Sequence, residues 1–415
     1  MKKSIAFTYA FIAAFGALVV GLNMGGISGA IDIIEAEFSL DALTKGFVTG
    51  ALMVGCLFGA LLGGRLSDKY GRKLMLIISA VLLGLSAGGC GFLSHSASAL
   101  VIYRFIGGLG VGVLSAVIPT YITEISPAEL RGTFVSFYQL FVVVGILVAY
   151  CANLFFSSYE MNWHLMLGLP LVFAILDIVL LLFLPESPIW LEQRGQKRET
   201  EKVAFKELFK GRMGYVVFLG SMLAFFQQIT GINVVVNYAP SILGKLGIAG
   251  SDPLLQTVFI GVANLIFTVI ALWLVDKFGR KTLLVCGCFG CTATLAYLTY
   301  AYSIADPSSI GVLAAILAYI GFFALSLSPL MFVVTSEMYP SRVRGTAMAF
   351  STGISWACAF LVVQFYPWME STLGTNVAFG IFAALCLAAG LFIWFLIPET
   401  KGKSLEAIET ELKLR

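Results

Sequence analysis

Three side-chain amides, Gln227, Gln228 and Asn233, fall within one short segment of a stretch apolar enough to cross a membrane. An amide offers both donors and acceptors without net charge, which is what a ligand carrying a row of hydroxyl groups, such as a sugar, requires of its site. Carboxamides are costly in hydrocarbon, so they face either such a ligand or a neighbouring helix, where a single buried Gln acts as glue. Gly231, set between the second and third amide, loosens the helix there and favours the ligand reading.

The elements that must position these amides are membrane helices. Hydrophobic residues make up 59% of the 415 and charged residues 12%, a balance that excludes a soluble globular domain and marks an all-α polytopic membrane protein. With about 20 apolar residues needed per crossing, twelve transmembrane helices are predicted, near 7–30, 44–64, 74–94, 98–122, 134–157, 163–184, 215–243, 254–275, 282–303, 309–336, 343–366 and 374–397. If both termini are cytoplasmic, only Lys45, Arg104 and Lys245 among the 26 Lys and Arg residues fall elsewhere, so the positive-inside rule sets that orientation. The net charge of +3 therefore reports topology and points to no nucleic-acid partner.

Lys2 and Lys3 ahead of an apolar run resemble a signal peptide. The run is too long and lacks a small-residue cleavage site, so it is expected to stay as the first helix. The eight cysteines lie in or beside apolar spans and support no disulfide framework. The Cys288 and Cys291 spacing could chelate zinc, but no His is near, and both read as small packing residues. No metal and no cofactor are expected.

The chain repeats itself. Glu124, Pro127, Arg131 and Gly132 recur 213 residues later as Glu337, Pro340, Arg344 and Gly345, and Pro185-Glu186 recurs at the same offset as Pro398-Glu399. The loop holding Asp68, Gly71 and Arg72 returns as Asp276, Gly279 and Arg280. Two six-helix pseudo-repeat halves follow: residues 1–185, a cytoplasmic linker at 186–213, residues 214–398, and a short tail at 399–415. Parallel repeats of this kind imply a substrate site between the halves near the bilayer midplane, opened alternately to each side.

The recurring charges form the second chemical feature. Asp68 and Arg72, like Asp276 and Arg280, stand four residues apart at a glycine-containing corner, with Glu124, Arg131, Glu186 and their repeats Glu337, Arg344 and Glu399 available as partners. Ordinary topology charge is the plain alternative. Repetition in both halves favours a shared mechanical role, a latch on the cytoplasmic side when the outer side is open.

Taken together these residues resemble the sugar porter family of the major facilitator superfamily, over essentially the whole chain. The most diagnostic marks are Pro185-Glu186-Ser187-Pro188 with Trp190, Pro398 to Gly402, and Gln227 to Asn233. The resemblance implies the major facilitator fold, a monosaccharide substrate, and sugar-binding positions at Gln139, Gln227, Gln228, Asn233, Asn264 and Trp356. An indole suits this role, since its flat face meets the C–H side of a pyranose. The pattern is broken at Asn237, where the family has the first of two tyrosines at the outer gate, and at Phe332, where many members have a site-lining Trp. Ser355 and Ile189 depart as well, and the linker is shorter than is usual.

In proton-coupled members the first span carries an Asp where this chain has Asn23, while its partner is retained as Arg104. An amide does not titrate, and the resemblance here is to passive glucose facilitators, so uniport is the expected mode. Asp177, a carboxylate in mid-span, argues the other way and keeps open a proton symporter that uses it or another acid. Its plain reading is an acid that pairs with a neighbouring helix, reaches water or stays neutral.

Other classes fit less well. A non-transporting sugar receptor calls for a signalling tail longer than 399–415, and a drug–proton antiporter for more acids. No nucleophile, base and orienting acid converge, so the chain is not expected to be an enzyme. The run Gly107 to Gly112 has helix-packing spacing and no preceding strand, unlike a phosphate loop. A monomer in a plasma membrane, a bacterial inner membrane on the absence of sequons and long outer loops, is expected. Which sugar is carried is not legible.

Overall fold

In the computed structural model, the described residues are 3–127, 130–159, 162–193, 208–245, 252–304, 308–340, 343–401, 403 and 410. Most of the predicted linker and tail lies outside them, as do the side chains of Arg131 and Asp276. The described residues form α-helices throughout, with no strand. They are α1 (Lys3–Phe38), α2 (Ala42–Tyr70), α3 (Arg72–Gly88, continued by a π-turn at Gly89–Leu93), α4 (Ala97–Ile125) and α5 (Arg131–Ser158). Next come α6 (Trp163–Gly168), α7 (Pro170–Leu182), α8 (Pro188–Gln193), α9 (Gly211–Ile229) and α10 (Ile232–Gly244). The last six are α11 (Pro253–Phe278), α12 (Arg280–Ala301), α13 (Ser309–Leu325), α14 (Leu327–Met338), α15 (Arg344–Leu373) and α16 (Thr375–Leu396).

Among the described residues twelve membrane-length apolar spans result, each overlapping its predicted counterpart. Three spans are assembled from two helices: α6 with α7, α9 with α10, and α13 with α14. Pro170 starts α7 where its missing N–H costs nothing. Thr230 and Gly231 separate α9 from α10, and Ser326 separates α13 from α14. In a membrane, irregular backbone of this sort survives only where its freed polar groups find partners.

The chain divides into two compact units. The first comprises Met1–Lys197, Val234–Leu265 and Val363–Pro367; the second comprises Arg198–Asn233, Ile266–Val362 and Trp368–Arg415.

Within the first unit, small residues let backbones touch, the packing that apolar burial alone cannot drive in lipid. A Cβ on Gly108 or Gly112 of α4 would fall 2.0 Å from Leu52 O or 2.3 Å from Cys56 O of α2. The glycine run of the sequence is thus a helix seam. On α1, Gly21 lies against Val142 O of α5 in the same way. α1 outruns its predicted end and carries Asp32 and Glu35 in its last turns, where the buried Lys45 Nζ bonds both, at 2.8 and 2.7 Å. α10 belongs to this unit from Val234 onward. Tyr150 Oη of α5 donates to Val236 O at 2.9 Å, Ser241 Oγ donates to Asp32, and Tyr238 Oη donates to Val363 O at 3.1 Å. Gln364 Nε2 reaches Leu43 O at 2.8 Å.

In the second unit α12 packs along α16 and α13, and α9 packs on α14 and α16. The two helix breaks of this unit set up the amide cluster.

Candidate functional site

The break between α9 and α10 is built from the sequence upward. Gly231 takes φ +94, a left-handed conformation open to glycine and strained for other residues, and a Cβ there would press on the ring of Phe382 at 2.9 Å. The carbonyl of Thr230, freed by the interruption, accepts from Tyr319 Oη at 3.0 Å. The two amides meet across the break, Asn233 Nδ2 donating to Gln228 Oε1 at 2.6 Å.

Gln228 Nε2 donates to Ser355 Oγ of α15 at 2.9 Å and lies 3.4 Å from Gln227 Oε1. Gln227 turns its own amide group onto the other break, donating to Leu327 O at 3.1 Å. It therefore ties α9 to the first turn of α14, the gluing role that the sequence offered as the alternative for a single Gln. Gln228 and Asn233 form the core of the cluster, and Gln228 is part-exposed. Ser355, read from the sequence only as a departure from a pattern, is the hydroxyl that completes it. The Ser326-Leu327-Ser328-Pro329 run is the one sequence signal that could have pointed to the second break.

The remaining predicted sugar-site positions are placed as follows. Trp356 of α15 follows Ser355 and is part-exposed, while Phe332 of α14 is 42% exposed. In the first unit, Gln139 of α5 and Asn264 of α11 are part-exposed and Asn237 of α10 is buried.

Asn23 and Arg104, predicted as a coupling pair, are not joined by a hydrogen bond among the described residues. Asn23 Nδ2 donates to Val19 O of its own helix at 2.9 Å. The buried Arg104 donates from Nε to Val48 O and from Nη2 to Thr49 O, both at 2.9 Å on α2. Two backbone carbonyls stand where an ionised partner would. Asp177 of α7 is fully buried, and neither of its oxygens has a hydrogen-bond partner among the described residues.

The charge networks close within each sequence half. Arg72 pairs with Asp68 at 2.8 Å and Glu124 at 2.9 Å. Gly71, at φ +104, aims the N–H groups of Arg72 and Lys73 at Glu186 Oε1, at 3.0 and 3.1 Å, so a carboxylate sits on the N-terminus of α3. Trp190 Nε1 bonds Asp68 O at 2.9 Å. The second half repeats the device: Gly279 has φ +87, and Arg280 N and Lys281 N donate to the two oxygens of Glu399 at 3.0 and 3.1 Å. Arg280 Nη2 reaches Glu337 at 3.4 Å, and Arg344 Nε donates to Tyr339 O at 3.1 Å. Burial opposes ionisation of Glu399, but the backbone N–H groups of Lys401, Arg280, Lys281 and Thr400 outweigh it and hold the carboxyl below its ordinary value.

Comparison with known proteins gives a consistent answer. The profile of the family described as "Sugar (and other) transporter" matches residues 9–208 and 196–412. The chain is 33% identical to the D-xylose-proton symporter of Escherichia coli, over 98% of this chain and 96% of that protein. It is 34% identical to the glucose transporter GlcP of Staphylococcus epidermidis, over 97% and 96%. The inward open structure of the xylose transporter XylE from E. coli superposes with a TM-score of 0.85, covering 98% of this chain and 99% of that one at 33% identity.

Proposed function

The chain belongs to the sugar porter family of the major facilitator superfamily, and we propose that it carries a monosaccharide, a hexose or a pentose, across a bacterial membrane by alternating access, together with protons. The observation that carries the sugar reading is the Gln228–Asn233–Ser355 cluster at the break of the seventh span. It is a neutral array of donors and acceptors, held in place by the Tyr319 bond to Thr230 O, and it suits hydroxyl groups better than ions. We assign sugar recognition to Gln228, Asn233 and Trp356, with Gln227 as their support, and on family grounds to Gln139 and Asn264. Phe332 and Asn237 are assigned to selectivity and gating.

The coupling mode departs from the expectation drawn from Asn23. Uniport followed from Asn23 with a retained Arg104, whereas a full-length likeness to a proton symporter weighs the whole chain and favours symport. Loss of the first-span acid moves the titrating group elsewhere without removing the need for one. The bonds joining α10 to Asp32 and Tyr150 tie the seventh span to the first and fifth, and the two corner networks brace helix ends within each sequence half at the predicted cytoplasmic side.

The sugar assignment is tested by scintillation-proximity binding of radiolabelled D-glucose, D-xylose, D-galactose and L-arabinose to the purified chain and to Gln228→Ala. Saturable binding of at least one sugar, weakened in the variant, is expected. Undiminished binding in the variant would place the site elsewhere.

A further inference from the structure

The symport reading leaves the proton without a named carrier. Asp177 lies on α7, has no solvent exposure, and has no hydrogen-bond donor to either oxygen among the described residues. Its Oδ2 lies 3.1 Å from the position a Cβ would take on Gly16 of α1, a space that Leu114 and Ile118 of α4 approach to 3.5 and 3.6 Å. The carboxyl thus occupies room that exists because residue 16 has no side chain, with apolar groups around it. α7 packs along α3 and α1. The ionisable groups on these helices and on α4 include Tyr9, Arg72, Lys73, Arg104, Tyr121 and Glu124, and among the described residues none makes a hydrogen bond to this carboxyl.

An ionised carboxylate without donor or counter-charge does not persist in such a place, so the group is the neutral acid in this conformation. A neutral acid that makes no hydrogen bond does no structural work that Asn or Leu could not do. What distinguishes it is the ability to lose a proton when water reaches it. Its position suits proton transfer, because Gly16 and Asn23 are seven residues apart on α1, two turns and about 10 Å along nearly the same face. The titratable group therefore abuts the same helix stripe as Asn23, reached from α7.

We propose that Asp177 is the proton-carrying residue of the transport cycle, holding a proton while α1, α4 and α7 are closed around it and releasing it to water in another conformation. The proposal rests on the symport reading. In each cycle the carboxylate takes up one proton from one side and returns it to the other, with no other bond made or broken.

The test uses the full chain in proteoliposomes loaded with a pH-sensitive dye, with D-glucose, D-xylose, D-galactose and L-arabinose as probes. Wild type is expected to acidify the lumen when the transported sugar is added. Asp177→Asn is expected to lose that acidification and the pH dependence of uptake while retaining sugar counterflow, which needs no net proton movement; Asp177→Glu should restore acidification. If wild type acidifies and Asp177→Asn does so equally, Asp177 is not the carrier and symport stands. If wild type moves no proton with sugar, the symport reading fails and this assignment fails with it. Should Asp177→Asn not fold, dicyclohexylcarbodiimide, which attacks protonated carboxyls in apolar surroundings, settles the point on wild type. Modification of Asp177 that declines as pH rises is expected, and an unmodified Asp177 at acid pH would overturn the proposal.

Discussion

Asn233 Nδ2 donates to Gln228 Oε1 at 2.6 Å across a helix break that a single left-handed glycine creates. The two amides orient each other, and each is left with hydrogen-bonding capacity that a sugar hydroxyl can use. Truncating Gln228 to Ala removes one ligand contact and leaves Asn233 and Ser355 short of a partner, so sugar affinity should fall by about 1–3 kcal/mol. Asn264→Ala should cost a similar amount, and both are read by equilibrium binding. Wild-type affinity in both variants would contradict the site assignment.

Gly231→Ala tests the break itself. A Cβ at φ +94 is strained, and it would meet the Phe382 ring at 2.9 Å. A loss of about 1–3 kcal/mol of stability is expected, together with weaker sugar binding because Gln228 and Asn233 lose their register. Melting temperature and affinity should fall together, and a Gly231→Ala variant unchanged in both would show that the break is not required.

Arg72 and Arg280 occupy equivalent corners but differ in their contact with the repeated glutamate. Arg72 and Glu124 are nearly buried and 2.9 Å apart, whereas Arg280 and Glu337 are more exposed and 3.4 Å apart. Arg72→Ala strands a buried Glu124 and should cost about 3 kcal/mol, more than Arg280→Ala costs. Thermal unfolding in detergent gives the order, and both variants should transport more slowly.

Glu399 gives a pH dependence of known sign. Its folded carboxyl is held below the ordinary value by backbone N–H donors, so its contribution to stability is complete above the ordinary carboxylate range and fades as pH falls through the lower folded value. Glu399→Gln should flatten that acid limb of the stability profile. An identical acid limb in the variant would mean that Glu399 contributes nothing there.

Tyr150 and Tyr238 tie α10 to Val363 and to its own unit through single hydroxyls. Replacing both by Phe removes two hydrogen bonds worth about 1 kcal/mol each and should shift the population toward a state with α10 released. Faster alkylation of a cysteine placed at Ser241 is the measurement; an unchanged rate would show that these bonds do not hold the gate.

Much of this architecture was legible because hydropathy and charge act residue by residue. The twelve spans follow from apolar length, and the corner networks from Asp68, Arg72, Glu124 and Glu186 recurring at fixed offsets. Gly231 beside two amides announced a broken helix. The sequence did not reveal that Gln227 would spend its amide on Leu327 O, because that bond depends on a second break about 100 residues away. Ser355 was hidden for the same reason, since a hydroxyl acquires a role only when Gln228 is brought to it. Asn23 pointed to uniport while Asp177, legible as a mid-span carboxylate, kept symport open; that this carboxylate is buried without a hydrogen-bond partner among the described residues shows only in the fold.

The most direct test of the account is accumulation of a radiolabelled monosaccharide in proteoliposomes carrying an imposed proton gradient. Proton-coupled transport predicts sugar concentrated against its gradient on the alkaline side and lost when an ionophore collapses the pH difference. Equilibration to the same level with and without the gradient would contradict it and return the chain to the uniport that Asn23 suggests.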